Sequence, residues 1–413
     1  MADIDVVICG AGIGGLAAAA ALRQQGIATT VLEQAPQLGE IGAGLQIGPN
    51  ATRVLHHLGL RDAMDQISLE VQETVNRRWQ DGSIIAKTTL GASATARYGA
   101  PYLQVHRADL HSALLSAAID PDFPGPAATI RTNSAVVTID ESEPTRPKAV
   151  LADGTSIAGS AIIGADGIRS TVRAHIGAPN EVLDSGDMAF RTLIDGDAVR
   201  RDPVTRFIVD WQAGNVWFGP YGHLVIYPVR KQKLINVVGI GPITDEVSAN
   251  WSRSATHDEL MAAYQGWDER VIALLSKADG PIALWAMKHQ APFSEWARGN
   301  VALLGDAAHS MVPYVSQGAS QSIEDAAVLA EELAGADAAA VRDALAAYVQ
   351  RRAERARTVQ IAALDNRAVF HLPDGDRQRE RDQRMRAVDK NVDTKLDWIY
   401  MGTPLRREAV PSR

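Results

Sequence analysis

The sequence predicts an α/β fold: an open parallel sheet, interrupted by a β-rich insertion and followed by helices. Three observations predict it. The chain opens with a strand, a glycine turn, a helix and a second strand over residues 5–34. Two later segments, "AIIGADG" (161–167) and "NVALLGDAA" (300–308), share one design, a buried strand that ends at glycine with an aspartate just beyond it. Between them, from about Met188 to Gln290, the texture changes to β-branched and aromatic residues such as "GHLVIYPVRKQKLINVVGIG". Turn signals there recur about every eight to twelve positions, which reads as an antiparallel sheet.

Each element has a local reason. Asp5 to Cys9 is a short apolar, β-branched run, hence a buried strand. Leu16 to Gln25 is helical and nearly all alanine, and Gly26 stops it. Ile27 to Gln34 is the next strand, which completes a βαβ unit with a right-handed crossover. Asn50, ahead of "ATRVLHHL", is expected to cap a helix. Beyond Ser320 the pattern is helical through Arg357. The charged stretch "DGDRQRERDQRMR" after His371 is expected to be a solvated helix face.

With 413 residues there is room for two domains or one large domain with insertions. A net charge of −8 argues against a nucleic-acid or anionic-membrane binder. No apolar run reaches the ~20 residues that a membrane span needs. The start, "MADIDVVICG", does not read as a secretion signal, and the single cysteine, Cys9, suits a reducing compartment, so a cytoplasmic location is expected. No His, Cys and carboxylate cluster has metal-ligand spacing, and no metal is expected.

Gly10-Ala11-Gly12-Ile13-Gly14-Gly15 contains G-x-G-x-x-G, after a strand and before a helix. Gly10 permits the tight turn, Gly12 lets backbone approach a pyrophosphate, and Gly15 allows close helix packing. The helix N-terminus offers free N–H groups to phosphate. Glu33 ends the second strand, where an acid accepts from ribose hydroxyls. An adenine dinucleotide follows from strand, helix and acid in register; the fingerprint alone leaves NAD and FAD open. No second fingerprint appears: the glycines at 42, 44 and 48 are one position off the spacing.

At this point the chain resembles the single-component FAD-dependent aromatic hydroxylases, nearest the salicylate, 3-hydroxybenzoate and 6-hydroxynicotinate hydroxylase branch. "VVICGAGIGGLAAAAALRQQGIATTVLEQ", "AIIGADGIRSTVR" and "GDAAHSMVPYVSQGASQSIEDA" carry the resemblance, in this order. It implies a Rossmann-like FAD-binding domain of the glutathione-reductase-like, para-hydroxybenzoate-hydroxylase type, with an inserted β-sheet substrate domain and a helical C-terminal segment. The expected boundaries are 1–72, 97–180 and 285–365 for the FAD domain, 73–96 and 181–284 for the substrate domain, and 366–413 for the last segment. The resemblance assigns Gly12, Gly14, Glu33 and Arg107 to the ADP half of FAD, and Asp166 to the pyrophosphate region. It assigns Asp306 to a ribityl hydroxyl and Pro313 to the ring. Gly318 and Ala319 would present N–H groups to the flavin N1–C2=O edge. Gly10, Gly15 and Gly44 complete the expected cofactor-binding set. Ser310 departs from the proline frequent after the histidine in this group, which bears on the shape of that loop. His309 itself is expected to pack in the loop.

The resemblance implies hydroxylation of a small phenolic aromatic acid with NADH or NADPH as transient co-substrate and O2, through a flavin C4a-hydroperoxide. It also makes a homodimer an open option. His223 and Tyr227 lie four apart in a predicted strand, on one sheet face with Val225 between them. His is the usual general base near neutral pH, and the resembled branch lines its substrate pocket with a His and a Tyr at this spacing. A structurally satisfied His–Tyr pair is the alternative. Gln46 and Arg191 are candidate substrate contacts; Arg191 equally suits a domain-joining role. Two other functions remain open: a same-fold monooxygenase for a larger natural product or antibiotic, and an FAD-binding sensor without turnover.

Overall fold

The computed structural model describes residues 4–39, 42–387, 396–402 and 405. Its first body is a six-stranded sheet. Asp5–Cys9 lies at the centre, parallel to Ala28–Leu32 on one side and Ala161–Gly164 on the other. Thr129–Arg131 extends one edge in parallel, and Val301–Leu303 extends the other. Only the two-residue edge strand Ala297–Arg298 runs antiparallel. Residues 6–9, Ala161–Gly164 and Val301–Leu303 are continuous apolar runs because they are buried inside the sheet.

The register decides where the motifs meet. Cys9 pairs with Leu32 and Gly164, and Gly164 pairs with Leu303. The glycine turn, Glu33, the Ala165–Gly167 loop and the Leu304–Asp306 loop therefore leave the sheet along one edge, where open α/β sheets place their ligands.

The helix Ile13–Gln24 is buried almost throughout, with Ala17, Ala18 and Ala19 wholly inaccessible. Small side chains let it sit between the sheet and two further helices, Arg107–Ile119 and Gly318–Leu333. A Cβ on Gly15 would stand 2.0 Å from the Gly10 carbonyl oxygen, so only glycine allows this approach. Gly10 itself has φ +109°.

The second body is an eight-stranded sheet with its own apolar core around Trp217, Leu224, Ile226 and Val237. It is antiparallel except where Ala213–Gly219 runs parallel to Glu73–Arg78. Its strand Ile282–His289 runs past residue 284, and the helix Val341–Phe370 continues unbroken past residue 365. That helix has 30 residues and is about 45 Å long at 1.5 Å per residue. It starts on the first body, where Tyr348 donates to the Leu303 carbonyl at 2.9 Å. It ends on the second, where Phe370 stacks on Phe218 at 4.6 Å. A small sheet of Gly44–Ile47, Leu103–His106 and Ser68–Glu70 lies between the two bodies, with Gly44 N–H donating to Asn236 Oδ1 at 2.7 Å.

One local expectation is corrected. Asn50 is not a helix cap: Gly48 holds that position and Pro49 the first turn. The Asn50 amide instead donates to Gln317 at 3.0 Å and Glu324 at 2.6 Å, which tie it to the next helix layer. The charged tail forms the expected helix with a largely solvated face, and its other face is packed. In the helix Asp376–Ala387, Gln378, Arg381 and Asp382 are buried. Arg381 lies 4.9 Å from the Phe218 ring centre and donates to the Val369 carbonyl, so its charge is packed and hydrogen-bonded.

Candidate active site

A cavity of about 330 Å³ opens at the common strand edge, between the two bodies. The first body contributes Gly12 and Gly14 from the glycine turn, Arg107 from a helix start, and Asp306 from the loop after Val301–Leu303. Pro313, Gly318 and Ala319 line it from the approach to the helix Gly318–Leu333. Gly44 and Gln46 come from the small sheet, and Arg191, His223 and Tyr227 from the large one. A second cavity, about 790 Å³, shares Arg107, Arg191 and Asp306 with the first.

Four expected residues stand behind this lining. Gly10 and Gly15 shape the turn from within. Glu33 accepts from the Ala11 N–H at 2.9 Å and the Ala35 N–H at 2.8 Å, and so braces the turn. Asp166 accepts from Ser170 Oγ at 2.5 Å and from the Thr171 and Val172 N–H groups. Burial raises its carboxyl above the usual range against those bonds. It organises the loop after Ala161–Gly164.

The cavity is built for a long anionic cofactor. The helices Ile13–Gln24 and Gly318–Leu333 both begin at it, and neither has a side-chain cap. Their first-turn N–H groups are left to an outside acceptor, at the positive ends of two dipoles. A Cβ on Gly12 or Gly318 would meet nothing within 4 Å, so both backbones border open space. FAD fits this set: one helix end suits the pyrophosphate and the other the flavin edge that gains negative charge on reduction.

The helix Gly318–Leu333 is held by a buried ionic cluster. Arg352 donates to Glu324 at 2.5 Å and to Asp325 at 2.7 Å, and His309 Nε2 lies 2.6 Å from Asp325. All four side chains are essentially inaccessible. His309 is thus more than loop packing: it ties the Asp306 loop to the helix. Ser310, the departure from proline, is buried, and its carbonyl accepts from Gln360 at 3.1 Å.

On the substrate side, His223 and Tyr227 are both buried on one face of Gly222–Val229, with Val225 beside them in the lining. The Tyr227 ring lies over Gly44, where a Cβ would come within 2.6 Å of it. Burial is the main reason that the Tyr227 hydroxyl is raised well above its ordinary range, so it is a donor at neutral pH. Burial, then His371, push His223 well below the usual imidazole range, so it is uncharged. Gln46 accepts from Tyr102 OH at 2.9 Å and Ser316 Oγ at 3.0 Å, which aligns its amide. Among the described residues Arg191 Nε has no hydrogen-bond partner, and burial lowers its guanidinium from the usual value.

The sequence reading missed the residues behind His223. His371 Nε2 lies 2.8 Å from His223 Nδ1, and Phe370 and Tyr314 pack edge-on against the His223 ring. No spacing links positions 148 residues apart, so no local signal could have found His371.

Fold and site together define an FAD-binding flavoprotein. The family model described as "FAD binding domain" matches residues 3–363. The chain is 37% identical over 398 residues to the 3-amino-4-hydroxybenzoate 2-monooxygenase PtnB3 of Streptomyces platensis, covering 96% of this chain and 95% of that one. It is 34% identical over 380 residues to the 3-hydroxybenzoate 6-hydroxylase 1 of Aquipseudomonas alcaligenes, covering 90% and 91%. The fold superposes on a variant of Klebsiella pneumoniae HpxO complexed with FAD with a TM-score of 0.83, at 24% identity over 97% of this chain and 99% of that one. The chain belongs to the FAD-binding-domain family, and within it to the single-component FAD-dependent aromatic hydroxylases.

Proposed function

We propose that this enzyme hydroxylates a small phenolic aromatic acid in the cytoplasm, using O2 and NADH or NADPH. The observation that carries the reading is that His223 and Tyr227 line the same cavity as the uncapped start of the helix Gly318–Leu333. FAD, when bound, supplies the redox chemistry, accepting reducing equivalents from the nicotinamide and activating O2. The protein's residues do the rest. Gly12 and Gly14 border the ADP half, Arg107 supplies positive charge beside it, and Asp306 accepts from a sugar hydroxyl. The N–H groups of Gly318 and Ala319 stabilise negative charge at the ring edge.

The substrate must become electron-rich to be attacked, which means that its phenol must ionise. Uncharged His223 accepts the phenolic proton, and Tyr227 donates a hydrogen bond to the resulting oxyanion. Arg191, with an unsatisfied Nε, offers its charge to an anionic group at the junction of the two cavities. Gln46 supplies an amide whose orientation Tyr102 and Ser316 set.

The test is a screen of small hydroxylated aromatic acids, starting with 3-amino-4-hydroxybenzoate and 3-hydroxybenzoate. NAD(P)H oxidation is measured against hydroxylated product in the FAD-loaded enzyme. Product matching nicotinamide consumed is the expected result. Stimulation by larger natural products alone would replace the small-acid reading, and FAD binding without any stimulated O2 uptake would make the protein a sensor.

A further inference from the structure

We propose that His371 and Asp187 form a proton relay behind His223, which carries the substrate's phenolic proton out of the cavity. The inference rests on the reading of His223 as the group that receives that proton, and extends it to residues on two other elements.

The geometry has a direction. His223 lines the cavity, and its Nδ1 is taken by His371 Nε2 at 2.8 Å, so Nε2 is the ring nitrogen left for substrate. Two imidazoles so placed need one donor and one acceptor. Among the described residues His371 Nδ1 is buried without a hydrogen-bond partner, and Asp187 Oδ2 lies 3.7 Å away as the nearest anion. Asp187 thereby favours a proton on His371 Nδ1. His371 Nε2 is then the acceptor, His223 Nδ1 the donor, and His223 Nε2 carries the lone pair that faces the cavity.

Asp187 is itself wholly buried and fixed. Arg367 donates to it twice, at 2.6 Å and 2.8 Å, and the Tyr314 hydroxyl donates as well. His371 sits at the end of the helix Val341–Phe370, where its carbonyl accepts from the Tyr221 N–H. The ionisable groups around His371 are therefore His223, Asp187, Tyr314 and Arg367, from three strands and loops and its own helix.

The protons balance. The phenolic proton passes to His223 Nε2, and the Nδ1 proton of His223 passes to His371 Nε2. The positive charge ends on His371 beside Asp187, and the negative charge on the substrate oxygen. Burial pushes both rings down, His371 to about 4, but His371 alone faces a carboxylate, Asp187, which acts to raise it.

The test uses FAD-loaded wild type, His371→Gln and Asp187→Asn with 3-amino-4-hydroxybenzoate as substrate. Flavin content reports folding. Hydroxylated product and KM are measured from pH 6 to above the phenol's own pKa. In both variants we expect kcat at neutral pH to fall by about tenfold or more, with KM little changed. We also expect recovery toward wild type at high pH, where the substrate arrives already ionised. A merely structural role would lower activity equally at every pH, and that result, or unchanged activity in both variants, overturns the relay while leaving His223 in place. A wild type that makes no hydroxylated product from this substrate or from 3-hydroxybenzoate overturns the relay together with the reading beneath it.

Discussion

His309 Nε2 meets Asp325 Oδ2 at 2.6 Å, with neither side chain exposed. This contact joins the loop that carries Asp306 to the helix that begins at Gly318. Burial acts to raise the Asp325 carboxyl, but His309 and Arg352 outweigh it and hold it down at about 2. Its folded value is thus below the unfolded value of 3.8. The linked stability is present above the unfolded value and is lost as pH falls toward about 2. Its size is on the order of 2 kcal/mol. In urea unfolding, Asp325→Asn should be destabilised at pH 6, and its deficit should shrink as pH falls from 5 to 2.5. A deficit independent of pH would detach Asp325 from acid lability.

Gly15→Ala should damage the dinucleotide turn. The new Cβ would stand 2.0 Å from the Gly10 oxygen, which is backbone and cannot rotate away. Overpacking of this kind costs about 1–3 kcal/mol. Purified variant should melt lower and hold less flavin; full flavin content with an unchanged melting temperature would show that the turn can spread.

Asp306→Ala tests the far end of the cofactor. The side chain is exposed to both cavities, so its loss should leave the fold intact. The variant should purify depleted of FAD, read as the ratio of flavin to protein absorbance. Wild-type flavin content would remove the sugar-hydroxyl role.

His223→Ala separates cofactor binding from chemistry. Flavin content should match wild type, because His223 lies on the substrate sheet. Hydroxylated product should fall by about 10²-fold or more, the contribution usual for positioned proton transfer. Product within twofold of wild type would take His223 out of the mechanism.

Gly10 to Gly15 and the two Gly-Asp strand ends were legible in the sequence because each is a local device, tied to its own turn or strand; Glu33 was legible as the acid after the second strand, but its bonds to the Ala11 and Ala35 N–H groups were not. His223 and Tyr227 were legible as a pair because strand periodicity puts positions four apart on one face. Asn50 was misread for the opposite reason. Local rules favour capping, but here Glu324 and Gln317 draw the Asn50 amide.

The sequence by itself determined an adenine-dinucleotide site, since strand, glycine turn, helix and acid lie within one βαβ unit, and the order of three motifs along the chain carried the resemblance to FAD-dependent hydroxylases. Only the tertiary structure decided that Cys9, Gly164 and Leu303 end in register, which gathers Gly12 and Asp306 on one cavity. It also decided that a helix of 30 residues delivers His371 to His223. Pairings across 148 positions are set by how the helix packs on two bodies at once, and no short-range pattern encodes that.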